Sequence, residues 1–275
     1  MSVSPEWLEI HRGDTPLIVS FPHTGTELPA DLEPRLVSSW LARKDADWWV
    51  HELYGFARDL GATTVRTRLS RTVIDVNRDP SGASLYPGQA TTDLCPTTTF
   101  DGEPLYRGKA APDADEIAAR RHRWFSPYHN ALQAEIARLK AKFAAVVLYD
   151  AHSIRSRVPR LFEGELPHFN IGSNGGLSCA AALREAVEQG CARSEFSRVV
   201  DGRFRGGWTI RHYGRPQNGV HTIQMELACR GYMEEPAAVS EGEWPPPYDP
   251  ARAAKMRATL EDVLKACLDF AKATA

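Results

Sequence analysis

Val146-Val147-Leu148-Tyr149-Asp150-Ala151-His152-Ser153 is a short apolar run that ends in an acid and a histidine. Runs of this length, rich in β-branched and aromatic residues, read as strands buried on both faces of a parallel sheet. An earlier stretch repeats the pattern, with Leu17-Ile18-Val19-Ser20-Phe21 running into Pro22-His23. Open α/β sheets place their ligands beyond the carboxyl ends of such strands, so both imidazoles are expected at one edge, where they can share a metal ion. An α/β fold built on a mainly parallel sheet follows from these two segments.

The rest of the chain alternates helix and strand signals around them. Asp45-Ala46-Asp47 precedes Trp48, Trp49, Leu53, Phe56, Ala57 and Leu60 at helical spacing, with Gly61 behind them, so a helix is expected over 45–60. Thr63 to Leu69 and Thr72 to Val76 read as strands. The segment 79–112 carries five prolines together with Tyr86, Phe100 and Tyr106, and a loop that long inside a domain reads as a functional wall or lid. Ile117, Trp124, Phe125, Tyr128, Leu132, Ile136 and Leu139 mark a long helix over 113–143. Residues 153–175 read as a second irregular stretch and 178–189 as an Ala-rich helix. Val220 to Leu227 reads as a strand, and 250–272 as an amphipathic terminal helix. The glycine-rich segment Phe204 to Gly214 reads as a loop; it lacks the Gly-x-x-x-x-Gly-Lys phosphate signature, so it suits substrate binding better than nucleotide binding. No linker divides the 275 residues, and one catalytic domain, 1–275, is expected.

Composition narrows the classes of function. A net charge of -2 gives no bulk electrostatic reason to bind nucleic acid or an anionic membrane. No run approaches the roughly 20 apolar residues of a membrane span, and the start lacks a basic region followed by an apolar core, so a soluble cytoplasmic protein is expected. The five cysteines are scattered without a Cys-x-x-Cys pair, which indicates neither a disulfide framework nor a thiolate zinc site. A thiol amidase using Cys95 or Cys179 is disfavoured, because neither has a glycine-rich elbow or an evident histidine partner. Oligomeric state is not legible.

A catalytic zinc takes three protein ligands and keeps a position for water. His23 and His152 supply two; Asp47, Glu27 and His51 compete for the third, Asp47 being preferred and Glu27 next. Asp150 has an orienting role behind His152, provided the strand continues so that both share a face. Arg71 and Arg78 flank the segment ending in Asn77, a set suited to an anionic substrate and its developing charge. Glu226 lies in an otherwise apolar strand, where an unpaired carboxylate is costly unless it has work to do.

Pro22-His23-Thr24-Gly25, Ser70-Arg71, Asp75-Val76-Asn77-Arg78, Asp150-Ala151-His152-Ser153, Gly206-Gly207 and Gln224-Met225-Glu226 together resemble the N-formylglutamate amidohydrolase family from about residue 15 to 235. At greater distance they are similar to zinc carboxypeptidases and aspartoacylases. Those relatives place a metal-binding Glu three residues after the first histidine, whereas position 26 here is Thr. The resemblance implies a three-layer α/β/α fold with a central mixed, mainly parallel sheet of the zinc-carboxypeptidase type. It also implies zinc-dependent hydrolysis of N-formyl-L-glutamate, a step of histidine degradation. Glu226 then matches the general base, Arg71 the group that polarises the scissile carbonyl, and Asn77 with Arg78 the pair that grips a carboxylate. A dicarboxylate needs a second anion site, for which Arg211 and His221 or His212 are expected, with Arg155 and Arg157 behind them. Two other readings stand beside this one: a related metallo-deacylase or small peptidase, and a metal-free binding protein for acidic metabolites.

Overall fold

A computed structural model describes residues 5–274. Its strands are β1 (Leu8–His11), β2 (Leu17–Phe21), β3 (Thr63–Thr67), β4 (Val146–Ile154), β5 (Phe169–Gly172), β6 (Arg198–Val200) and β7 (Val220–Ala228). The helices, in chain order, are α1 (Leu41–Lys44), α2 (Val50–Leu53), α3 (Ala114–Arg120), α4 (Ser126–Lys140), α5 (Ala181–Ala192), α6 (Trp208–Tyr213) and α7 (Pro250–Ala273). One seven-stranded sheet runs in the order β1-β3-β2-β4-β7-β5-β6. The central strands β3, β2, β4 and β7 are parallel, while β1 on β3 and β5 on β7 are antiparallel. The sheet is therefore mixed and mainly parallel.

Strand periodicity sorts side chains onto two faces. Leu17, Val19, Val147, Tyr149, Ile223 and Met225 pack on one side against residues of α5 and α7 such as Leu183, Val187, Leu260 and Val263. Ile18, Val65, Val146 and Leu148 pack on the other against Tyr128, Leu132, Ile136 and Leu139 of α4. Helices thus cover both faces, a three-layer α/β/α arrangement. On the α4 side the apolar face gives way toward the carboxyl ends of the strands to buried polar residues: Ser20, Asp150, His152, Gln224 and Glu226. No helix among the described residues is long and apolar enough to cross a membrane.

Five local expectations are corrected or refined. The helix expected over 45–60 is reduced to the single turn α2 and a 3-10 turn at Gly55–Ala57, because the Asp47 N–H bonds the His23 carbonyl at 2.9 Å and Trp49 turns the chain with φ 63°. The helical spacing of apolar residues there records packing under the C-terminal chain, where the Trp49 indole N–H donates to the Pro246 carbonyl at 2.9 Å. Thr72 to Val76 forms turns instead of a strand; its apolar residues enter the α4-side core while the Asp75 carboxylate accepts the Asn77 N–H at 2.9 Å. Short apolar runs do not distinguish these outcomes by periodicity alone. The glycine-rich loop contains a helical turn and a half, α6, and the irregular stretch 153–175 contains β5. The expected helix over 113–143 is realised as α3 and α4 joined through a π-helical turn at Arg121–Phe125.

Candidate active site

Register brings the site together at the carboxyl edge of the sheet. His152 of β4 pairs with Glu226 of β7, and Asp150 pairs with both Gln224 of β7 and Ser20 of β2. Because β4 continues to Ile154, Asp150 and His152 share a face. His23 follows the end of β2, and the break before α2 delivers Asp47 beside both histidines. One donor atom from each of His23, Asp47 and His152 lies within 4.8 Å of the others, and all three residues are buried.

Each imidazole is anchored through its far nitrogen. His23 Nε2 lies 2.7 Å from Asp75 Oδ1, and His152 Nε2 lies 2.9 Å from Asp150 Oδ2. The Nδ1 atoms face inward: His152 Nδ1 is 3.0 Å and His23 Nδ1 3.7 Å from Asp47 Oδ2. His23 Nδ1 and Asp47 Oδ1 are buried without any hydrogen-bond partner. Polar atoms left bare in this way are costly, and two inward imidazole nitrogens with a carboxylate form a donor set that suits a divalent transition metal. Asp75 and Asp150 stand where carboxylates behind metal-binding histidines fix the tautomer and the ring orientation.

The electrostatics favour a cation in this space. Burial opposes the charged form of His152, yet the Asp150 and Asp47 carboxylates hold it well above the ordinary histidine range. Asp75 stays well below the usual carboxylate range despite burial, because His23, Arg78 and Arg71 surround it. Glu226 behaves in the opposite way: burial dominates and pushes its carboxyl up to about 7. Gln224 donates from Nε2 to Glu226 Oε2 at 3.3 Å and accepts the Gly207 N–H on Oε1 at 2.8 Å. A carboxylate poised near neutrality beside a cation site can take up and return a proton.

Arg71 is buried over the Phe100 ring, 4.9 Å from its centroid, and donates from Nη2 to Asp75 Oδ2 at 2.6 Å. Its Nη1 reaches within 3.7 Å of Asp47 Oδ1. Asn77 donates to Asp150 Oδ2 at 3.2 Å and accepts the Thr209 N–H at 2.8 Å, so its amide joins the 71–78 turn to α6. Gly207 is required at this joint, since a Cβ there would stand 2.4 Å from Asn77 Nδ2. Arg78 lines the same cavity, held by two bonds of 2.9 Å to the carbonyl and hydroxyl of Thr92. Tyr86, Thr92 and Phe100 bring the 79–112 segment to the cavity wall, and Leu161 brings 153–175.

Several expected residues lie elsewhere. Glu27 is half-exposed in an ion pair with Arg68, and the buried donor group formed by His23, Asp47 and His152 does not include it. His51 lines a separate depression with Arg58 and Arg66; burial and those two cations push it down to about 4. Arg211 is consumed by the carbonyls of Gly206 and Leu85, each at 3.0 Å, and does not line the cavity. His221 is an odd-numbered residue of β7 and faces away from Glu226; its Nδ1 accepts the Ala180 N–H at 3.1 Å, and its ring packs edge-on to Phe270. His212 stacks on Trp208, Arg155 pairs with Asp101 at 2.7 Å, and Arg157 pairs with Glu165 on the surface. Cys95 and Cys179 are buried, and burial pushes each thiol up to about 11, which is contrary to a thiolate nucleophile. The residues that sequence reasoning passed over are Arg203 and Gln224 as cavity-lining groups, and Asp75 as an anchor. Asp75 and Gln224 stood inside quoted motifs, but Arg203 carried no signal beyond its basic charge.

Residues 15–233 match the N-formylglutamate amidohydrolase family. The chain is 44% identical over 268 residues to N-formylglutamate deformylase of Pseudomonas aeruginosa, covering 97% of this chain and 98% of that one. It is also 44% identical over 229 residues to N-formylglutamate deformylase of Pseudomonas putida, covering 83% and 85% of the two chains. Among solved structures it is similar to N-formylglutamate amidohydrolase from Ralstonia eutropha JMP134, with TM-score 0.74, 21% identity and 99% coverage of each chain. A gene product of Agrobacterium tumefaciens follows, with TM-score 0.70 and 16% identity over 97% of this chain and 96% of that one. The structural likenesses bear on the fold; the family match and the two relatives at 44% bear on descent. The chain belongs to the N-formylglutamate amidohydrolase family.

Proposed function

We propose that this chain hydrolyses the formamide bond of N-formyl-L-glutamate, giving formate and L-glutamate, as a metal-dependent amidohydrolase of the cytoplasm. The observation that carries this reading is the arrangement of His23, Asp47 and His152 with Asp75 and Asp150 behind them and Glu226 alongside, in a chain of this family. His23, Asp47 and His152 would hold the ion, for which zinc fits the donor set. When bound, such an ion supplies Lewis acidity, polarising a carbonyl and lowering the pKa of water to about 7.

The side chains divide the remaining work. Glu226, held by Gln224 and raised toward neutrality, accepts a proton at its carboxylate as water adds to the formyl carbon. Arg71, fixed by Asp75, directs a permanent cation at the oxygen on which charge develops. Glu226 then returns the proton to the departing amine nitrogen. Arg78 takes the substrate α-carboxylate, and Asn77 keeps the turn that carries Arg78 docked on α6. The segments 79–112 and 153–175 wall the cavity of a single catalytic domain and keep bulk water from it.

The test is formate release from N-formyl-L-glutamate. Glu226→Gln keeps the shape of the side chain and removes its basicity. The expected outcome is a fall in turnover of roughly 10²- to 10⁴-fold with metal content unchanged. Turnover at the wild-type level in that variant contradicts the assignment.

A further inference from the structure

A substrate with two carboxylates needs two places that welcome negative charge, and three arginines line the cavity: Arg71, Arg78 and Arg203. Arg71 is already matched by Asp75 at 2.6 Å and by Asp47 at 3.7 Å, and Arg78 lies 3.7 Å from Asp75. Arg203 differs from both. Among the described residues no carboxylate oxygen lies within 4.0 Å of its guanidinium.

The arginine is nevertheless held in place. Its Nε donates to the Leu161 carbonyl at 2.8 Å and its Nη2 to the Ala90 carbonyl at 2.9 Å, so both walls of the cavity grip it. The guanidinium lies 5.5 Å from the ring centroid of Tyr86 and 5.2 Å from that of Phe204. Tyr86 is fixed in turn, its hydroxyl donating to the Gly206 carbonyl at 2.8 Å. Nη1 is committed to no protein acceptor among the described residues. A partly buried cation that is pre-aligned by two carbonyls and two aromatic rings, with no carboxylate in ion-pair distance among the described residues, complements an anion arriving with the ligand.

We infer that Arg203 is the specificity residue that reads the second, side-chain carboxylate of the substrate. This inference rests on the proposed hydrolysis of N-formylglutamate. It replaces Arg211 and His221, which the fold directs to other tasks. It also gives Tyr86 of the 79–112 segment a purpose, because its ring, fixed on Gly206, packs against the guanidinium.

The experiment compares formate release from N-formyl-L-glutamate and from N-formyl-L-norvaline, which lacks the distal carboxylate, in wild-type protein, Arg203→Met and Arg203→Lys. Using both substrates on each preparation cancels any loss of folded protein. Arg203→Met is expected to raise KM for N-formylglutamate about 10- to 100-fold, the worth of a hydrogen bond to a charged group, while kinetics on N-formylnorvaline change less than about 2-fold. Arg203→Lys, which keeps the charge and loses the fork, is expected to fall between. Equal effects of Arg203→Met on both substrates, or an unchanged preference, overturn the inference and leave the proposed reaction standing. Wild-type protein that releases no formate from N-formylglutamate overturns the reaction itself, and the inference with it.

Discussion

Asp150 shows how much a single position can carry. Its Oδ2 sits 2.9 Å from His152 Nε2 and accepts from Asn77, while its Oδ1 accepts from Ser20 at 2.5 Å. Every oxygen of a fully buried carboxylate is thereby used, and the His152 ring is left with Nδ1 facing Asp47. Asp150→Asn removes the charge that orients and polarises the ring without emptying the space. Metal affinity is expected to weaken about 10- to 100-fold, measured by competition with a chromophoric chelator, and unchanged affinity would remove Asp150 from the site's support. His23, His152 and Glu226 were conspicuous in the sequence because each stands at the end of, or within, an apolar strand run, whereas Asp47 was singled out from a helix that does not form there. Arg211 and His221 were misread because basic character in a strand or loop says nothing about which face it takes. For His221 the period of two settles the matter once the face of Glu226 is known.

At the scale of elements, α4 does more than cover the sheet. His129 of α4 is buried, with Nε2 2.8 Å from the Val76 carbonyl and Nδ1 3.0 Å from the Tyr213 hydroxyl. A carbonyl only accepts, so Nε2 carries the proton and the ring pins α4 to the turn that precedes Asn77 and Arg78. Burial pushes His129 down from 6.5 to about 4, outweighing the bond to Val76. Between those values the unfolded chain binds a proton that the folded chain refuses, so stability rises with pH through the window and is lost on acidification. Between pH 6.5 and 5 this one group is expected to remove up to about 2 kcal/mol. Urea unfolding at fixed metal content checks this: His129→Gln should be less stable at pH 7 yet decline more gently toward pH 5, and a parallel decline would contradict the assignment. The long elements β4, α4, β7 and α7 were legible from period and length. The pieces at 45–60 and 72–76 were not, because tertiary contacts to His23, Leu94 and Pro246 override local preference over such short spans.

For the whole molecule, the central relation is between an ordered sheet edge and a cluster of charges that is costly to bury. The mixed sheet order aligns Ser20, Asp150 and Gln224 in one row and His152 with Glu226 in the next. Loops from both flanks then close over them. The parallel core was legible from two histidine-ended runs, whereas the antiparallel margins β1 and β5 and the short β6 were not. Each of those strands has at most four residues, too short for alternation to register. His23 Nδ1 and Asp47 Oδ1 are buried in the middle of this cluster without a hydrogen-bond partner, Arg71 Nη1 standing 3.7 Å from the latter. The most direct measurement is metal content determined together with formate release from N-formyl-L-glutamate, before and after exhaustive chelation and after zinc add-back. The account predicts about one divalent ion per chain, loss of formate release on its removal and recovery when zinc is restored. Undiminished formate release from metal-free protein would contradict it.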